Sequence, residues 1–110
     1  METERRNLTE EEIEMVWEKG QVVNNNNPQV WRKDYAGAWI KRDQYGVETE
    51  YGWVVDHRNP ISNGGTYSSR NLEPLHWRNN KTKYDNYPHW KTSISSEGTK
   101  NVEQEQEWDA

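Results

Sequence analysis

The sequence predicts one small α+β domain, in which a helix and a β-hairpin precede a core of two strands and a second helix. Two observations favour this fold class. Short runs of aromatic and β-branched residues alternate with stretches of helical composition, and 110 residues leave room for a single core. Only 30% of the residues are hydrophobic and Phe is absent, so seven Trp and six Tyr must carry much of the apolar surface.

The first predicted element is a helix over residues 9–19, docked on the core through Trp17. Thr9 and Glu12 have the spacing of a capping box, in which each residue satisfies a backbone N–H of the first turn. Apolar residues then recur at helical spacing. Residues 1–8 precede the helix as a predicted flexible segment.

A β-hairpin is predicted next, because residues 30–33 and 38–42 are rich in strand-forming residues and flank a turn with glycine. Basic and aromatic residues interleave in it, a composition that suits contacts with phosphates and bases. A half-buried hairpin with solvated charges explains the pattern equally well. The candidate nucleic-acid-binding residues of this hairpin are Arg32, Lys33, Lys41 and Arg42.

The middle of the chain predicts the core and the site. Residues 53–55 have the composition of a buried strand, which ends on Asp56 and His57. A loop rich in turn residues follows. Residues 72–75 form a second short extended segment, and residues 76–84 have helical composition. A carboxylate and an imidazole at the end of a strand are therefore expected to face a helix.

Such an arrangement suits one hard cation. Asp56 supplies a carboxylate oxygen and Asn80, on the predicted helix, supplies an amide oxygen, ligands that Mg²⁺ and Mn²⁺ accept. Two protein ligands leave coordination positions for water and phosphate oxygens. His57 can accept the proton of an attacking water, because imidazoles titrate near neutral pH. We therefore expect one divalent cation, Mg²⁺ or Mn²⁺, held by Asp56 and Asn80.

Two motifs in this segment resemble those of the HNH endonuclease family: D-H-x-x-P-x-S-x-G-G from Asp56, and N-L-x-P-L-H-W-x-x-N-x-x-K from Asn71. The resemblance covers residues 52–85 and implies a ββα-metal core that hydrolyses DNA phosphodiester bonds. It places the general base at His57 and the metal ligands at Asp56 and Asn80. It gives Asn71 the task of bracing the loop and orienting the base. The candidate catalytic residues are therefore His57 and Asn71.

One departure from the family concerns zinc. Many members hold a structural zinc with paired cysteines, and this chain has no cysteine. His76 and Asn79 stand where one such pair would lie, so we expect no structural zinc and look for stability in other contacts. For His76 a structural role is preferred, and a contact with phosphate is left open. The further candidate nucleic-acid contacts on the predicted helix are Arg78, Lys81 and Lys83.

The domain organisation follows from charge and composition. Residues 9–95 form the predicted nuclease domain, and residues 96–110 are expected to be an acidic, disordered tail. The net charge is −5, yet residues 19–100 hold twelve Lys and Arg against eight Asp and Glu, a net charge of +4. A basic centre between acidic ends is compatible with DNA as the partner.

The preferred function is a metal-dependent endonuclease that acts on DNA. Two alternatives stay open: a DNA-binding module of the same fold without turnover, and an acidic protein-interaction domain. The sequence has no apolar stretch that resembles a signal peptide or a membrane span. We therefore expect a cytoplasmic location and no membrane partner. The sequence identifies no protein partner.

Overall fold

The structure, a computed structural model, describes residues 7–110. The described residues form an α+β fold with two α-helices and three two-stranded antiparallel sheets. In chain order the elements are α1 (Glu10–Trp17), β1 (Trp31–Lys33), β2 (Trp39–Lys41), β3 (Trp53–His57), β4 (Leu72–His76), α2 (Trp77–Lys83), β5 (His89–Glu97) and β6 (Lys100–Asp109). The predicted fold class is confirmed at this level.

Helix α1 forms where its capping box and apolar stripe predicted it. The Thr9 hydroxyl accepts a hydrogen bond from the Glu12 N–H at 3.1 Å, and the Glu12 carboxylate accepts one from the Thr9 N–H at 3.0 Å. Trp17 is buried, with its ring centroid 5.2 Å from that of Trp53. Leu8 packs against the same core, while the rest of the predicted flexible segment, up to residue 6, lies outside the described residues.

Strands β1 and β2 form the predicted hairpin. The turn is fastened by Asp34, whose carboxylate Oδ1 accepts hydrogen bonds from the N–H groups of Ala36 at 3.0 Å and Ala38 at 2.8 Å. Gly37 has a φ of +95°, a conformation that side chains with a Cβ rarely adopt. The turn glycine and the aspartate therefore fix the hairpin together.

Strands β3 and β4 and helix α2 form the predicted strand–strand–helix unit. The two strands are antiparallel, and Asp56 and His57 lie opposite Glu73 and Leu72. Helix α2 follows β4 directly, and its first turn is capped by His76, whose Nδ1 accepts a hydrogen bond from the Arg78 N–H at 3.1 Å. The end of β3 is thereby brought close to α2.

The disordered tail predicted for residues 96–110 is wrong. These residues complete β5 and form β6, which pair along their length. Two side chains of β6 fasten it to the first hairpin: Asn101 exchanges hydrogen bonds with the backbone of Trp39 at 2.7 and 3.0 Å, and Gln106 donates one to the Ala36 carbonyl at 2.7 Å. The domain therefore extends beyond residue 95 and includes β6.

The core lies between α1, the first hairpin and the β3–β4 pair. Its buried cluster consists of Ile13, Val16, Trp17, Ile40, Trp53, Val55 and Leu72. Aromatic rings fill it, since Tyr45 lies 5.0 Å from Trp53 between centroids. Among residues 7–110, no helix is long and apolar enough to cross a membrane.

Candidate active site

Asp56 and Asn80 meet at the point where the end of β3 faces α2. The Asn80 amide nitrogen lies 3.0 Å from the Asp56 Oδ1. A half-turn of the amide group exchanges its nitrogen and oxygen, so an Asn80 oxygen can take the same place. An octahedral Mg²⁺ with metal–oxygen distances of about 2.1 Å sets neighbouring ligand oxygens about 3.0 Å apart. The predicted pair of metal ligands therefore fits two adjacent positions around one such cation.

Asp56 and Asn80 combine one charged and one neutral side chain, whereas many metal sites contain three or more charged or imidazole ligands. Within the described part of the chain, no three His, Cys, Asp or Glu side chains are grouped so that they could hold a metal ion. A cation at Asp56 would have one carboxylate and one amide as protein ligands, and its other positions would be open to water or phosphate oxygens.

His57 is the last residue of β3 and is almost completely buried, with 4% of its surface exposed. Its ring meets the Tyr67 ring edge to face, with the centroids 4.6 Å apart. A cavity of about 260 Å³ lies beside the imidazole and is otherwise lined mainly by apolar and aromatic residues, among them Tyr45 and Val54. The cavity lies against this histidine, while both ring nitrogens are buried.

Asn71 braces the loop that follows His57. Its side chain accepts a hydrogen bond from the Asn59 N–H at 2.8 Å and donates to the carbonyls of Asn59 at 3.0 Å and Thr66 at 2.8 Å. The loop is tight at Gly65, where a Cβ would lie 1.7 Å from the Asn59 carbonyl oxygen. The structure thus provides the loop-bracing contacts predicted for Asn71.

His76 and Asn79, at the positions where many HNH family members would have zinc ligands, belong to a buried hydrogen-bond network. Asn79 is completely buried. It donates to Asp34 Oδ2 and to the Ile94 carbonyl, both at 3.0 Å, and accepts from the N–H groups of Ser93 at 2.9 Å and Ile94 at 2.7 Å. The His76 N–H also donates to Asp34 Oδ2, at 2.9 Å. The network joins α2 to β5 and to the first hairpin.

Burial governs the ionisation of this network. It raises the pKa of Asp34 to about 6, although the hydrogen bonds from His76, Asn79 and the turn amides favour the anion. Burial also lowers the pKa of His76, whose Nε2 lies 2.7 Å from the Glu50 carbonyl oxygen. These contacts give His76 the preferred structural role. The sequence did not single out Asp34 for this network, although an aspartate three positions before a glycine is a usual turn signal.

Several of the predicted nucleic-acid contacts have structural partners. The Arg32 guanidinium donates to the carbonyls of Pro28, Glu18 and Gly20 at 2.9–3.0 Å. Arg42 lies 2.9 Å from the Glu14 carboxylate. These two arginines fasten α1 to the hairpin, so we replace their predicted role in phosphate binding with a structural one.

The lysines of the hairpin and the charges on α2 differ in exposure. Lys33 lies 4.8 Å from the centroid of Trp39, and Lys41 lies 5.5 Å from that of Trp31. Of the predicted nucleic-acid contacts on α2, Arg78 and Lys81 have exposed side chains. They form ion pairs with Glu103 at 3.4 Å and Glu48 at 3.3 Å, respectively. Lys83 is completely buried, so the expected contact with DNA at this residue is wrong.

Comparison of the chain with protein-family models, with curated proteins and with solved structures gave no match. The geometry of the site is therefore the basis for the functional proposal.

Two neighbouring asparagines are expected to respond differently to substitution. Asn79→Ala should lower the free energy of unfolding by about 3–5 kcal/mol, because it leaves several buried backbone and carboxylate groups without partners. Asn80→Ala, the matched control, removes a single hydrogen bond at a half-buried position and should cost about 1 kcal/mol. Urea unfolding without added metal measures both. Equal losses would contradict the structural role of Asn79.

Proposed function

We propose that this protein is a metal-dependent endonuclease of the HNH type, which hydrolyses DNA phosphodiester bonds. The observation that carries the proposal is the convergence of Asp56 and Asn80 at 3.0 Å, where the end of β3 faces α2 and His57 is the next residue in the chain. The loop contacts of Asn71 and the cavity at His57 support it.

Each residue has a task in the proposed reaction. Asp56 and Asn80 hold one divalent cation, either Mg²⁺ or Mn²⁺. When bound, such a cation stabilises the charge that develops on the phosphate and on the leaving oxygen. His57 takes the proton from the attacking water. Asn71 keeps the loop after His57 in place. The reaction yields a cleaved strand with a phosphate on one side of the break and a hydroxyl on the other.

A plasmid assay tests the proposal. Supercoiled DNA incubated with the protein and Mg²⁺ should become nicked or linear, and Asn80→Ala should lose this activity at low Mg²⁺. The control Asn24→Ala alters an exposed asparagine and should cleave like the wild type. Binding without cleavage would favour a DNA-binding module, and the absence of both would favour a protein-interaction domain. Either result would reject the proposed activity.

Removal of the metal should stop cleavage and leave the fold intact. The buried network around Asn79 and the aromatic core stabilise the domain with side chains alone, and the proposed cation contacts only Asp56 and Asn80. EDTA should therefore leave the circular dichroism spectrum unchanged and shift the melting temperature by no more than about 2 °C. A collapse of the melting temperature on chelation would show that a metal holds the fold.

A further inference from the structure

Lys83 is a charged side chain that lies inside the protein beside the proposed metal ligand. It is 0% exposed. Its Nζ lies 3.4 Å from each carboxylate oxygen of Asp56 and donates a hydrogen bond to the His57 carbonyl oxygen at 3.0 Å. The ammonium therefore contacts both the proposed ligand and the backbone of the proposed base.

Two residues of α2 approach the same carboxylate. Asn80 and Lys83 are three positions apart, so they lie on neighbouring turns of one side of the helix. The Asn80 amide lies 3.0 Å from Asp56 Oδ1, and the Lys83 ammonium lies 3.4 Å from that same oxygen. A cation bound between Asp56 and Asn80 would share the carboxylate with a positive charge that the protein already provides.

The charge around the proposed cation position is consequently balanced before any metal binds. Asp56 contributes one negative charge, Lys83 contributes one positive charge, and Asn80 is neutral. Arg58 and Glu73 lie nearby and interact with each other, so they add one positive and one negative charge and leave this balance unchanged. The protein alone therefore offers a divalent cation little net attraction, and a phosphodiester brings the missing negative charge.

We propose that Lys83 is a positioning residue that holds Asp56 in place and keeps metal affinity low until DNA is bound. Metal and phosphodiester would then bind cooperatively, and the free protein would retain little metal. This inference rests on the proposed function in two respects, the divalent cation at Asp56 and Asn80 and DNA as the anionic partner. The competition between Lys83 and the metal for Asp56 is independent of any cleavage.

Binding of Mn²⁺ to the protein without DNA, followed by electron paramagnetic resonance, tests the competition. Lys83→Met should bind Mn²⁺ at least about tenfold more tightly than the wild type, because the repelling ammonium is gone. A short DNA duplex should tighten Mn²⁺ binding more in the wild type than in the variant. The matched control is Lys91→Met, which alters a lysine on β5 whose side chain is 53% exposed, and it should bind Mn²⁺ like the wild type.

Stability provides a second measurement, because Lys83→Met leaves the buried Asp56 without its cation and should destabilise the fold. Mn²⁺ should raise the melting temperature of this variant more than that of the wild type, since the metal supplies the missing positive charge. Equal Mn²⁺ affinities and equal thermal responses would overturn the proposal. So would a variant that stays unfolded at every Mn²⁺ concentration, which would leave Lys83 a structural role only.

The two proposals can fail separately. A wild-type protein that shows the expected Mn²⁺ behaviour but cuts no DNA would reject the endonuclease and retain the competition at Asp56. A wild-type protein that cuts DNA and binds Mn²⁺ tightly without it would retain the endonuclease and overturn the role of Lys83.

Discussion

His57→Ala should lower the rate of DNA cleavage by about 100-fold or more while leaving the affinity for DNA nearly unchanged. A general base contributes about 10²–10⁴ to a rate, and the variant leaves water without a proton acceptor at the end of β3. The imidazole is almost completely buried, so it contributes little surface to the binding of DNA. Cleavage of plasmid DNA under single-turnover conditions measures the rate, and fluorescence anisotropy with a labelled duplex measures the affinity.

The control for this variant is His89→Ala. His89 is exposed and pairs with Asp109 across the second hairpin, which β5 and β6 form. Its loss should therefore leave the rate unchanged. Circular dichroism verifies that both variants are folded, which matters because alanine at position 57 removes the ring that contacts Tyr67. A wild-type rate in the His57 variant would remove this residue from the proposed mechanism.

Deletion of residues 98–110 should destabilise the domain by about 5 kcal/mol or more, a large part of the 5–15 kcal/mol that small domains possess. The deletion leaves β5 without its partner strand. It also removes the Asn101 and Gln106 hydrogen bonds and the Trp108 ring, which contacts Tyr35 edge to face at 4.9 Å between centroids. Each such hydrogen bond contributes about 1 kcal/mol, and the half-buried Trp108 ring adds the burial of its apolar surface.

Urea unfolding followed by tryptophan fluorescence measures this loss, and the truncated chain should lack a cooperative transition at low urea. Glu105→Ala is the matched control within β6. It breaks only an exposed ion pair with Lys91, and such pairs contribute less than about 1 kcal/mol. A truncated domain as stable as the wild type would show that β6 contributes nothing to the fold.

The elements that the sequence predicted carry strong local signals. The capping box at Thr9 and the apolar stripe that follows it fix α1 without reference to the rest of the chain. The hairpin and the β3–β4–α2 unit follow from short aromatic and β-branched runs separated by turn residues. The convergence of Asp56 and Asn80 was predicted from their places at a strand end and on a helix. Both residues lie within the β3–β4–α2 unit, so the prediction needed no contact with the rest of the chain.

The second hairpin lacked the signal on which strand prediction depends. Residues 102–109 alternate strictly, with acids at every second position, but the intervening residues include the polar Gln104 and Gln106, and Gln106 contacts the first hairpin through a hydrogen bond. Asn101 and Gln106 hydrogen-bond to backbone groups of the first hairpin in place of burying an apolar face. Composition therefore predicted disorder, and only the tertiary contacts reveal the strand.

The burial of Lys83 was equally invisible to composition, because lysines are almost never fully buried unless they are paired. Its partner Asp56 lies 27 positions earlier in the sequence. The one available signal was the spacing of three residues from Asn80, which places both side chains on the same side of α2 once Asn80 is assigned to the site.

The hydrogen bonds of Asn79 have a consequence for how the protein opens. A seven-residue helix is not stable alone in water, and Asn79 fastens α2 to the backbone of β5 at Ser93 and Ile94. The helix that carries Asn80 and Lys83 therefore separates from the domain only when β5 is released as well. In native-state hydrogen exchange, the amides of α2 and β5 should therefore share one opening free energy, and the geometry at Asp56 should persist until these two elements open together.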